Sequence, residues 1–357
     1  MEIPEKFTMK TNNLFKRLRG QIEKTDEKIF FLLEERLNLV RELAKIKKER
    51  GIHLIDVKRQ EELVQKIKRG FNNLGEHFIE EIFQTIFDYS KINQLSINRN
   101  MELMKNLREK PLLIAGPCSV ESREQIEKIS AYLNKKNIKF LRGGIFKPRT
   151  CPESFQGLGI DGLVYLREAA NKNNQYVVTE VMTTKQLDWT YDFVDVIQVG
   201  SRNMTSFGLL KAIGKKTARD KKPILLKRGT NSTISEFINA AKYIAQYGNN
   251  NIILCLRGIR TFEQIDSILR NTPDLASILE LKEKTNYPII FDPSHATGNT
   301  EYVPNISKAA LELGADGIMV EVHHNPSIAL SDGDQSLNFK QFDNFLREIK
   351  WTQKLSN

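Results

Sequence analysis

The sequence is poor in cysteine and has no apolar run long enough to span a membrane. Three cysteines in 357 residues are too few for a disulfide framework, so a reducing compartment is expected. No segment approaches 18 consecutive apolar residues, and the first ten residues lack the apolar core of a signal peptide. These absences predict a cytoplasmic protein without a membrane partner.

A block of charge of one sign is also missing, although the chain is basic overall. Lys and Arg number 54 against 44 Asp and Glu, which gives a net charge of +10. The excess is spread along the chain, with +4 in residues 1–100 and +6 in the remainder. Because nucleic-acid-binding proteins concentrate their basic residues in patches or tails, this distribution argues against a nucleic-acid partner.

Proline is absent between Pro4 and Pro111. Within that stretch apolar residues such as Leu18, Ile22 and Ile29 recur at helical spacing. The pattern predicts three helices over about 12–48, 56–69 and 76–96, with glycine-containing breaks between them. Three helices of such unequal length form a poor isolated core, so we expect two copies of the chain to intertwine.

After Pro111, eight short apolar runs alternate with amphipathic segments. Alternating strands and helices form a parallel sheet, and eight such units in about 250 residues predict a closed (β/α)8 TIM barrel, an α/β fold. A doubly wound open sheet is the alternative, and the count of eight disfavours it. The runs are Leu112–Ala115, Ile138–Leu141, Tyr176–Thr179, Val194–Val199, Ile224–Leu226, Ile252–Leu256, Ile289–Phe291 and Ile318–Val320. The predicted organisation is therefore an all-α helical domain at 1–96, a linker at 97–110 and a barrel at 111–357.

Residues of metal-ligand type follow several of the predicted strands, where the active sites of such barrels lie. Cys118, His295, Glu321 and Asp332 supply sulfur, nitrogen and oxygen ligands for one divalent transition metal ion. Mixed soft and hard ligands suit Zn, Fe, Mn or Co better than Mg or Ca. Asp292 is expected to orient His295 from behind.

Cations form a second group at the predicted strand ends. Arg binds phosphate and carboxylate bidentately, and Lys adds a point charge. So many cations at one barrel mouth would repel one another unless anions bind there, so the sequence predicts small polyanionic substrates. The group comprises Arg142, Lys147, Arg149, Arg202, Lys227 and Arg257.

Several longer motifs, in order along about 105–350, resemble 3-deoxy-D-arabino-heptulosonate 7-phosphate (DAHP) synthases. The resemblance implies condensation of phosphoenolpyruvate with erythrose 4-phosphate and water to DAHP and phosphate, in aromatic amino-acid biosynthesis. The KPRT segment favours this family over the related 3-deoxy-octulosonate 8-phosphate synthases. The motifs are AGPCS (115–119), RGGIFKPRT (142–150), SFQGLG (154–159), KRG (227–229), RGIRT (257–261), DPSHATG (292–298) and VEVHHNP with ALSDGDQSL (within 320–337).

The resemblance also implies roles for individual residues. Cys118, His295, Glu321 and Asp332 match the metal ligands, and Mn2+ is the expected metal, with Zn2+, Fe2+ and Co2+ as alternatives. The phosphoenolpyruvate contacts match Arg142, Lys147, Ser201, Arg202, Lys227 and Arg257, and the aldose phosphate site matches Arg149 and Thr150. Lys147 and Glu180 are the candidates for moving protons near the reacting carbons.

The N-terminal segment, over about 12–96, resembles an all-helical chorismate mutase, which rearranges chorismate to prephenate. Arg36 and Lys47 are 11 residues apart and share a helix face, whereas Arg19 points elsewhere, which suits a site that receives Arg19 from a partner chain. The resemblance implies that the two carboxylates of chorismate are bound by Arg19, Arg36 and Arg59. Its ether oxygen would contact Lys47 and Gln94, and its hydroxyl would contact Asp56 and Gln60. Ser90 is the eighth position that matches the family.

Two hypotheses for the N-terminal domain follow. The leading one is a bifunctional enzyme, at least a homodimer and, with barrel packing, a homotetramer. The alternative is a DAHP synthase whose N-terminal domain binds chorismate or prephenate and mediates feedback inhibition, with weak or no mutase activity. Gln60 motivates the alternative, because the family commonly has Glu at that position and Gln lacks its charge.

Overall fold

The structure, a computed structural model, describes residues 5–50, 52, 56–71, 73–94, 100–147, 151–262 and 269–351. The chain divides into two compact units, Met1–Gln94 and Leu95–Asn357. None of the described helices is long and apolar enough to cross a membrane.

The first unit consists of three helices, as the sequence predicts: α1 (Glu5–Glu49), α2 (Val57–Gly70) and α3 (Glu76–Gln94). Both α1 and α2 pack on α3, where Ile79 and Phe87 are buried together with Ala44 of α1. The first helix begins earlier than the predicted residue 12, since no proline or glycine interrupts the chain between Glu5 and Gly20.

The second unit is a closed barrel of eight parallel strands in sequential order, which confirms the predicted fold. Every strand residue is buried except Glu180 at the end of the third strand. The strands are β1 (Leu112–Gly116), β2 (Phe140–Arg142), β3 (Tyr176–Glu180), β4 (Val196–Val199), β5 (Ile224–Lys227), β6 (Ile252–Leu256), β7 (Ile289–Phe291) and β8 (Gly317–Glu321).

Ten helices of the described chain belong to this unit, and most of them connect consecutive strands. They are α4 (Asn100–Arg108), α5 (Arg123–Lys135), α6 (Ile160–Lys172), α7 (Thr184–Thr190), α8 (Phe207–Thr217), α9 (Ile234–Ala245), α10 (Ala276–Lys284), α11 (Pro293–Thr297), α12 (Val303–Glu312) and α13 (Phe339–Glu348).

Helix α4 lies within the segment that the sequence assigns to a linker. Its Leu103 and Leu107 are buried in the same apolar cluster as strand residues such as Ile114 and Met319. The side chain of Asn106 donates a hydrogen bond to the Tyr176 hydroxyl at 3.0 Å. Because α4 precedes β1 and packs on residues that point into the barrel, it closes the end opposite the carboxyl ends of the strands, where the predicted ligands lie.

Candidate active site

Four potential metal ligands converge at the carboxyl ends of β1, β7 and β8. Cys118 follows β1, His295 lies in α11 just after β7, Glu321 ends β8, and Asp332 lies in the loop after β8. Their ligand atoms all lie within 4.8 Å of one another. The Cys118 Sγ is 2.9 Å from Asp332 Oδ2, and the His295 Nε2 is 3.3 Å from Glu321 Oε1. The structure thus brings together the set that the sequence predicts.

The helix that carries His295 is fixed by its ends. The side chain of Asp292 caps α11 by accepting a hydrogen bond from the His295 backbone N–H, and Gly298 ends the helix in the left-handed conformation. Asp292 Oδ2 also lies 2.7 Å from His295 Nδ1, and it accepts a hydrogen bond from Lys227. This arrangement leaves Nε2 to face the other ligands, as expected of an orienting carboxylate.

The ionisation of the ligand set matches what a divalent cation needs. Burial lowers the pKa of His295 to about 4, so its imidazole is neutral at physiological pH. Burial would raise the pKa of Glu321 and Asp332, but nearby positive charges, Arg142 beside Glu321 and Arg270 beside Asp332, contribute to lowering both. Burial raises the pKa of the Cys118 thiol to about 12. Two carboxylates, a neutral imidazole and a thiol fit a divalent transition metal, with the thiol proton released on binding.

Two cations already contact this ligand set. Arg142 pairs with Glu321 at 2.7 Å, and the Lys147 ammonium lies 2.7 Å from Cys118 Sγ. Burial lowers the pKa of Lys147, but the neighbouring Cys118 and Glu321 outweigh it and raise that pKa, so Lys147 remains protonated. These two predicted substrate contacts therefore also neutralise the ligand cluster.

A cavity of about 330 Å³ adjoins the ligand cluster. The predicted residues Lys147, Glu180, Ser201, Arg202, Lys227, Arg257, His295 and Asp332 all line it. The sequence analysis missed six further lining residues: Ser154, Gly200, Thr230, Arg260, Arg270 and Asn271. Of these, Arg260 lies within the quoted RGIRT motif, whereas Arg270 and Asn271 belong to no motif. The predicted Arg149 and Thr150 lie outside the described residues.

Arg257 is the clearest anion-binding group in this cavity. It is 7 % exposed, and its side chain has no hydrogen bond or ion pair with the described part of the chain. Burial lowers its pKa to about 10, so the guanidinium is still charged at neutral pH. Because an uncompensated buried charge is unfavourable, this group indicates a site for an anionic ligand.

Glu180 contributes a carboxylate, a hydrogen-bond acceptor, to the same cavity. Its Oε2 accepts a hydrogen bond from Gln198 Nε2 at 3.2 Å. Its Oε1 is buried and has no hydrogen-bond partner among the described residues. A Cβ atom at Gly200 would lie 2.0 Å from this oxygen, so a larger residue there would displace the carboxylate. The free acceptor suits a proton or a water molecule brought by the substrates.

In the helical unit, the structure brings two of the predicted mutase residues together. The Arg36 guanidinium on α1 donates a hydrogen bond to the Ser90 hydroxyl on α3, and it also lies 5.9 Å from the Phe87 ring centroid. Burial lowers the pKa of Arg36. A half-buried guanidinium without a carboxylate partner among the described residues is again a candidate anion-binding group.

The remaining mutase positions are more dispersed. Asp56 caps α2 by accepting a hydrogen bond from the Arg59 backbone N–H at 3.0 Å, while the Arg59 side chain points outward to Glu62 at 3.6 Å. Arg19 is exposed and its guanidinium lies over Phe15 of its own helix. Lys47 and Gln60 are half-buried, and the side chain of Gln94 lies outside the described residues. Among the described side chains of a single chain, Arg19 lies exposed on α1 and is not gathered with Arg36 and Ser90.

The two units match two known families. The model of the DAHP synthetase I family matches residues 94–356, and that of chorismate mutase type II matches residues 18–95. The two matches meet where the structure divides the chain.

Similar proteins agree with the first of these matches. A phospho-2-dehydro-3-deoxyheptonate aldolase from Thermotoga maritima is 49% identical over 238 residues, which cover 67% of this chain and 68% of the relative. A 2-dehydro-3-deoxyphosphooctonate aldolase from Francisella tularensis is 29% identical over 259 residues, 67% of this chain and 90% of the relative. A crystal structure of the Thermotoga maritima DAHP synthase superposes with a TM-score of 0.63 at 48% identity, covering 68% of this chain and 69% of that one.

Proposed function

This chain belongs to the DAHP synthetase I family and carries a chorismate mutase type II domain, and from this premise we propose how its two sites work. The barrel condenses phosphoenolpyruvate with erythrose 4-phosphate and water, releasing phosphate and DAHP. A carbon–carbon bond forms between the enol carbon of one substrate and the aldehyde carbon of the other. The helical unit rearranges chorismate to prephenate.

The observation that carries the synthase proposal is the buried Arg257 beside the ligand cluster, whose side chain has no hydrogen bond or ion pair among the described residues. Together with Arg202 and Lys227 on the same cavity wall, it provides charge for the phosphate and carboxylate of phosphoenolpyruvate. Charge-assisted hydrogen bonds of this kind offset the desolvation of both partners. Arg149 and Thr150 are assigned to the phosphate of the aldose by family resemblance.

Cys118, His295, Glu321 and Asp332 would hold one divalent metal ion, with Mn2+ as our first choice and Zn2+, Fe2+ or Co2+ as alternatives. When bound, such an ion acts as a Lewis acid that polarises the aldehyde carbonyl. Lys147 keeps a proton on Nζ and can donate it to an oxygen that gains charge. Glu180 Oε1, buried and without a hydrogen-bond partner in the described part of the chain, can orient or deprotonate the water that adds to phosphoenolpyruvate.

Purified full-length protein tests this proposal directly. After removal of metal with EDTA, the protein should not consume phosphoenolpyruvate, and Mn2+, Co2+, Zn2+ or Fe2+ should restore consumption only when erythrose 4-phosphate is present. Arabinose 5-phosphate serves as the control aldose, since it is the substrate expected of an octulosonate synthase. Inactivity with all four metals, or a preference for arabinose 5-phosphate, would contradict the proposal.

For the helical unit we propose a site shared between two copies of the chain. Leu14, Leu18, Ile22 and Ile29 follow one another at spacings of four and seven residues and are about half exposed. The same spacing continues to Arg36, which contacts α3, so these side chains extend the face that α3 covers farther along α1. An apolar stripe of this length favours burial against a second copy, which would also bring Arg19 of one chain to Arg36 of the other. A homodimer or homotetramer follows.

The regulatory alternative rests on Gln60 and on the capping role of Asp56. Both positions are assigned to the hydroxyl of chorismate, yet Gln60 has no charge and Asp56 already accepts a backbone hydrogen bond. A paired assay decides between the two roles: mutase and synthase rates are measured with and without prephenate. Mutase turnover favours the bifunctional enzyme, whereas prephenate inhibition of the synthase without mutase turnover favours the sensor. Arg36→Gln should weaken either property.

A further inference from the structure

Two residues that the proposed mechanism does not use, Arg270 and Gln335, contact the carboxylate groups of the predicted ligands Asp332 and Glu321. Arg270 lies in the irregular segment between β6 and α10, and its guanidinium is 3.1 Å from Asp332 Oδ1. The same guanidinium donates a hydrogen bond to Gln335 Oε1 at 2.7 Å. Gln335 in turn donates to Glu321 Oε2 at 2.5 Å. The chain of contacts thus joins both carboxylates through one pair of side chains.

Arg270 and Gln335 each contact one oxygen of a carboxylate, and the other oxygen, which lies nearer the ligand cluster, contacts Cys118 in the case of Asp332 and Arg142 in the case of Glu321. Asp332 uses Oδ1 for Arg270 and has Oδ2 within 4.0 Å of His295 Nε2. Glu321 uses Oε2 for Gln335 and has Oε1 within 3.3 Å of the same nitrogen. The hydrogen bonds from Arg270 and Gln335 therefore fix which oxygen of each carboxylate faces the ligand cluster.

The backbone of Asp332 gives a second reason for such support. This residue has φ +52° and ψ +39°, in the left-handed region that residues other than glycine seldom adopt. Such a conformation persists where its surroundings hold it in place. The ion pair with Arg270 and the hydrogen bond from Ser336 Oγ to the Asp332 carbonyl at 2.9 Å provide that support.

The segment that carries Arg270 is itself attached to the third ligand. The Arg270 backbone N–H donates a hydrogen bond to the Thr297 carbonyl at 3.0 Å, and the Asn271 backbone N–H donates one to the Ala296 carbonyl at 2.8 Å. The Asn271 side chain donates to the His295 carbonyl, also at 2.8 Å. One short segment is therefore hydrogen-bonded to the helix of His295 and, through Arg270, paired with Asp332 in the loop after β8.

We propose that Arg270 and Gln335 are positioning residues that set the metal affinity of the site by holding Asp332 and Glu321 in the binding geometry. This inference rests on the proposed metal centre. Simple electrostatics predicts the opposite effect for Arg270, since removing a positive charge beside a cation site should tighten metal binding. The sign of the change in affinity therefore separates positioning from charge.

The experiment measures metal binding without substrate or turnover. Metal-free full-length protein is titrated with Co2+, followed by the thiolate-to-cobalt charge-transfer absorption that reports Cys118, and with Mn2+ by calorimetry. The variants are Arg270→Gln, Arg270→Lys, Gln335→Leu and the Arg270→Gln/Gln335→Leu double variant. Arg260→Gln is the matched control, since it removes the same charge from the same cavity at a side chain without a hydrogen bond to the ligands in the described structure.

We expect Arg270→Gln and Gln335→Leu each to raise the Kd for Co2+ about 10- to 100-fold, the range known for groups that orient metal ligands. Arg270→Lys keeps the charge but loses the guanidinium Nη1 that contacts both Asp332 and Gln335, so it should also weaken binding, and it carries the test if Arg270→Gln does not fold. The double variant should lose less than the product of the two single effects. Arg260→Gln should leave the Kd unchanged or lower it.

The outcomes distinguish this inference from the proposed function. If the wild-type protein binds Co2+ with the Cys118 absorption and Arg270→Gln binds as tightly or more tightly, the positioning role is overturned while the metal centre stands. If the wild-type protein binds no Co2+ through Cys118, the metal centre and the inference both fail.

Discussion

The barrel and the helical unit are both proposed to bind small anions through arginine and lysine, and they position these residues in two different ways. In the barrel, groups as distant in sequence as Cys118 and Asp332 are brought within hydrogen-bonding distance by one closed sheet. In the helical unit, Arg36 and Ser90 meet, but Arg19 remains exposed on the same long helix. One site is assembled by the topology of a single chain, whereas the other, as proposed above, is completed by a second copy.

The largest expected effect concerns the barrel alone. Cys118→Ala removes one of the four ligands, and because a metal that acts as a Lewis acid contributes several kcal/mol to catalysis, synthase kcat/KM should fall at least about 1,000-fold. Mutase activity should not change, since the helical unit has its own site. Steady-state assays of both reactions check this, with Cys151→Ser as the control for an exposed thiol. Full synthase activity in Cys118→Ala would remove Cys118 from the ligand set.

A smaller effect is expected for the buried cation of the cavity. Arg257→Gln leaves the cavity intact but removes a charged hydrogen-bond donor, a loss of about 1.5–3 kcal/mol. The KM for phosphoenolpyruvate should therefore rise about 10- to 100-fold, while thermal stability should not decrease because the unpaired charge is gone. Initial-rate kinetics with each substrate varied in turn test the assignment. An unchanged KM for phosphoenolpyruvate would exclude Arg257 from its binding.

In the helical unit, Arg36→Gln should impair the mutase reaction and leave the synthase reaction unchanged. Because Arg36 is only half-buried and water screens its charge more, mutase kcat/KM should fall about tenfold or somewhat more. Synthase kcat without effector should remain at the wild-type value. A parallel loss of synthase activity in the absence of prephenate would show that the two units do not operate separately.

The smallest effect is expected at the closed end of the barrel. Asp316 accepts hydrogen bonds from Lys282 at 2.6 Å and from the Ile289 N–H at 2.7 Å, and Lys110 pairs with it as well. Burial would raise the pKa of Asp316, but these partners outweigh it and lower that pKa. Its stabilising contribution is therefore present above the unfolded pKa near 4 and is lost as the pH falls below that value.

Asp316→Asn should accordingly lower the stability of the barrel by about 1–3 kcal/mol at pH 7 and by less under acid conditions. The rates of both reactions should stay the same, because Asp316 immediately precedes β8, at the end of the strand opposite the catalytic site. Thermal unfolding followed by circular dichroism at pH 7 and at about pH 2.5, below the unfolded pKa, provides the measurement. An equal loss of stability at both pH values would contradict a role for the carboxylate charge.

Much of the barrel site could be predicted from sequence, because a (β/α)8 fold places the residues after each strand at one face. His295 and Glu321 follow or end apolar runs, and their proximity follows from the topology alone. Arg270 could not be found in this way, because it lies in an irregular segment where neither periodicity nor a motif fixes its direction. Gln335 lies within a quoted motif, but only the structure shows that it contacts Glu321.

In the helical unit the sequence predicts the elements better than the site. Helical periodicity predicts Arg36 and Lys47 on one face, and the structure shows Arg36 in contact with α3. The role of Asp56 as the cap of α2 depends on where the helix begins, which periodicity determines only to within a few residues. The distance from Arg19 to Arg36 in an assembled site depends on a second chain, which no pattern within one sequence specifies.

Mixing two inactive variants tests the contrast between the sites most directly. Arg19→Ala and Arg36→Ala proteins are co-expressed with different tags, and the same is done with Cys118→Ala and His295→Ala. If the mutase site is shared across a dimer, half of the dimers should contain one intact site of two, which restores about a quarter of wild-type mutase activity. The second mixture should restore no synthase activity, because all four ligands belong to one chain. Provided that the wild-type protein is an active mutase, two results would contradict this account. One is that the first mixture restores no mutase activity, and the other is that the second mixture restores synthase activity.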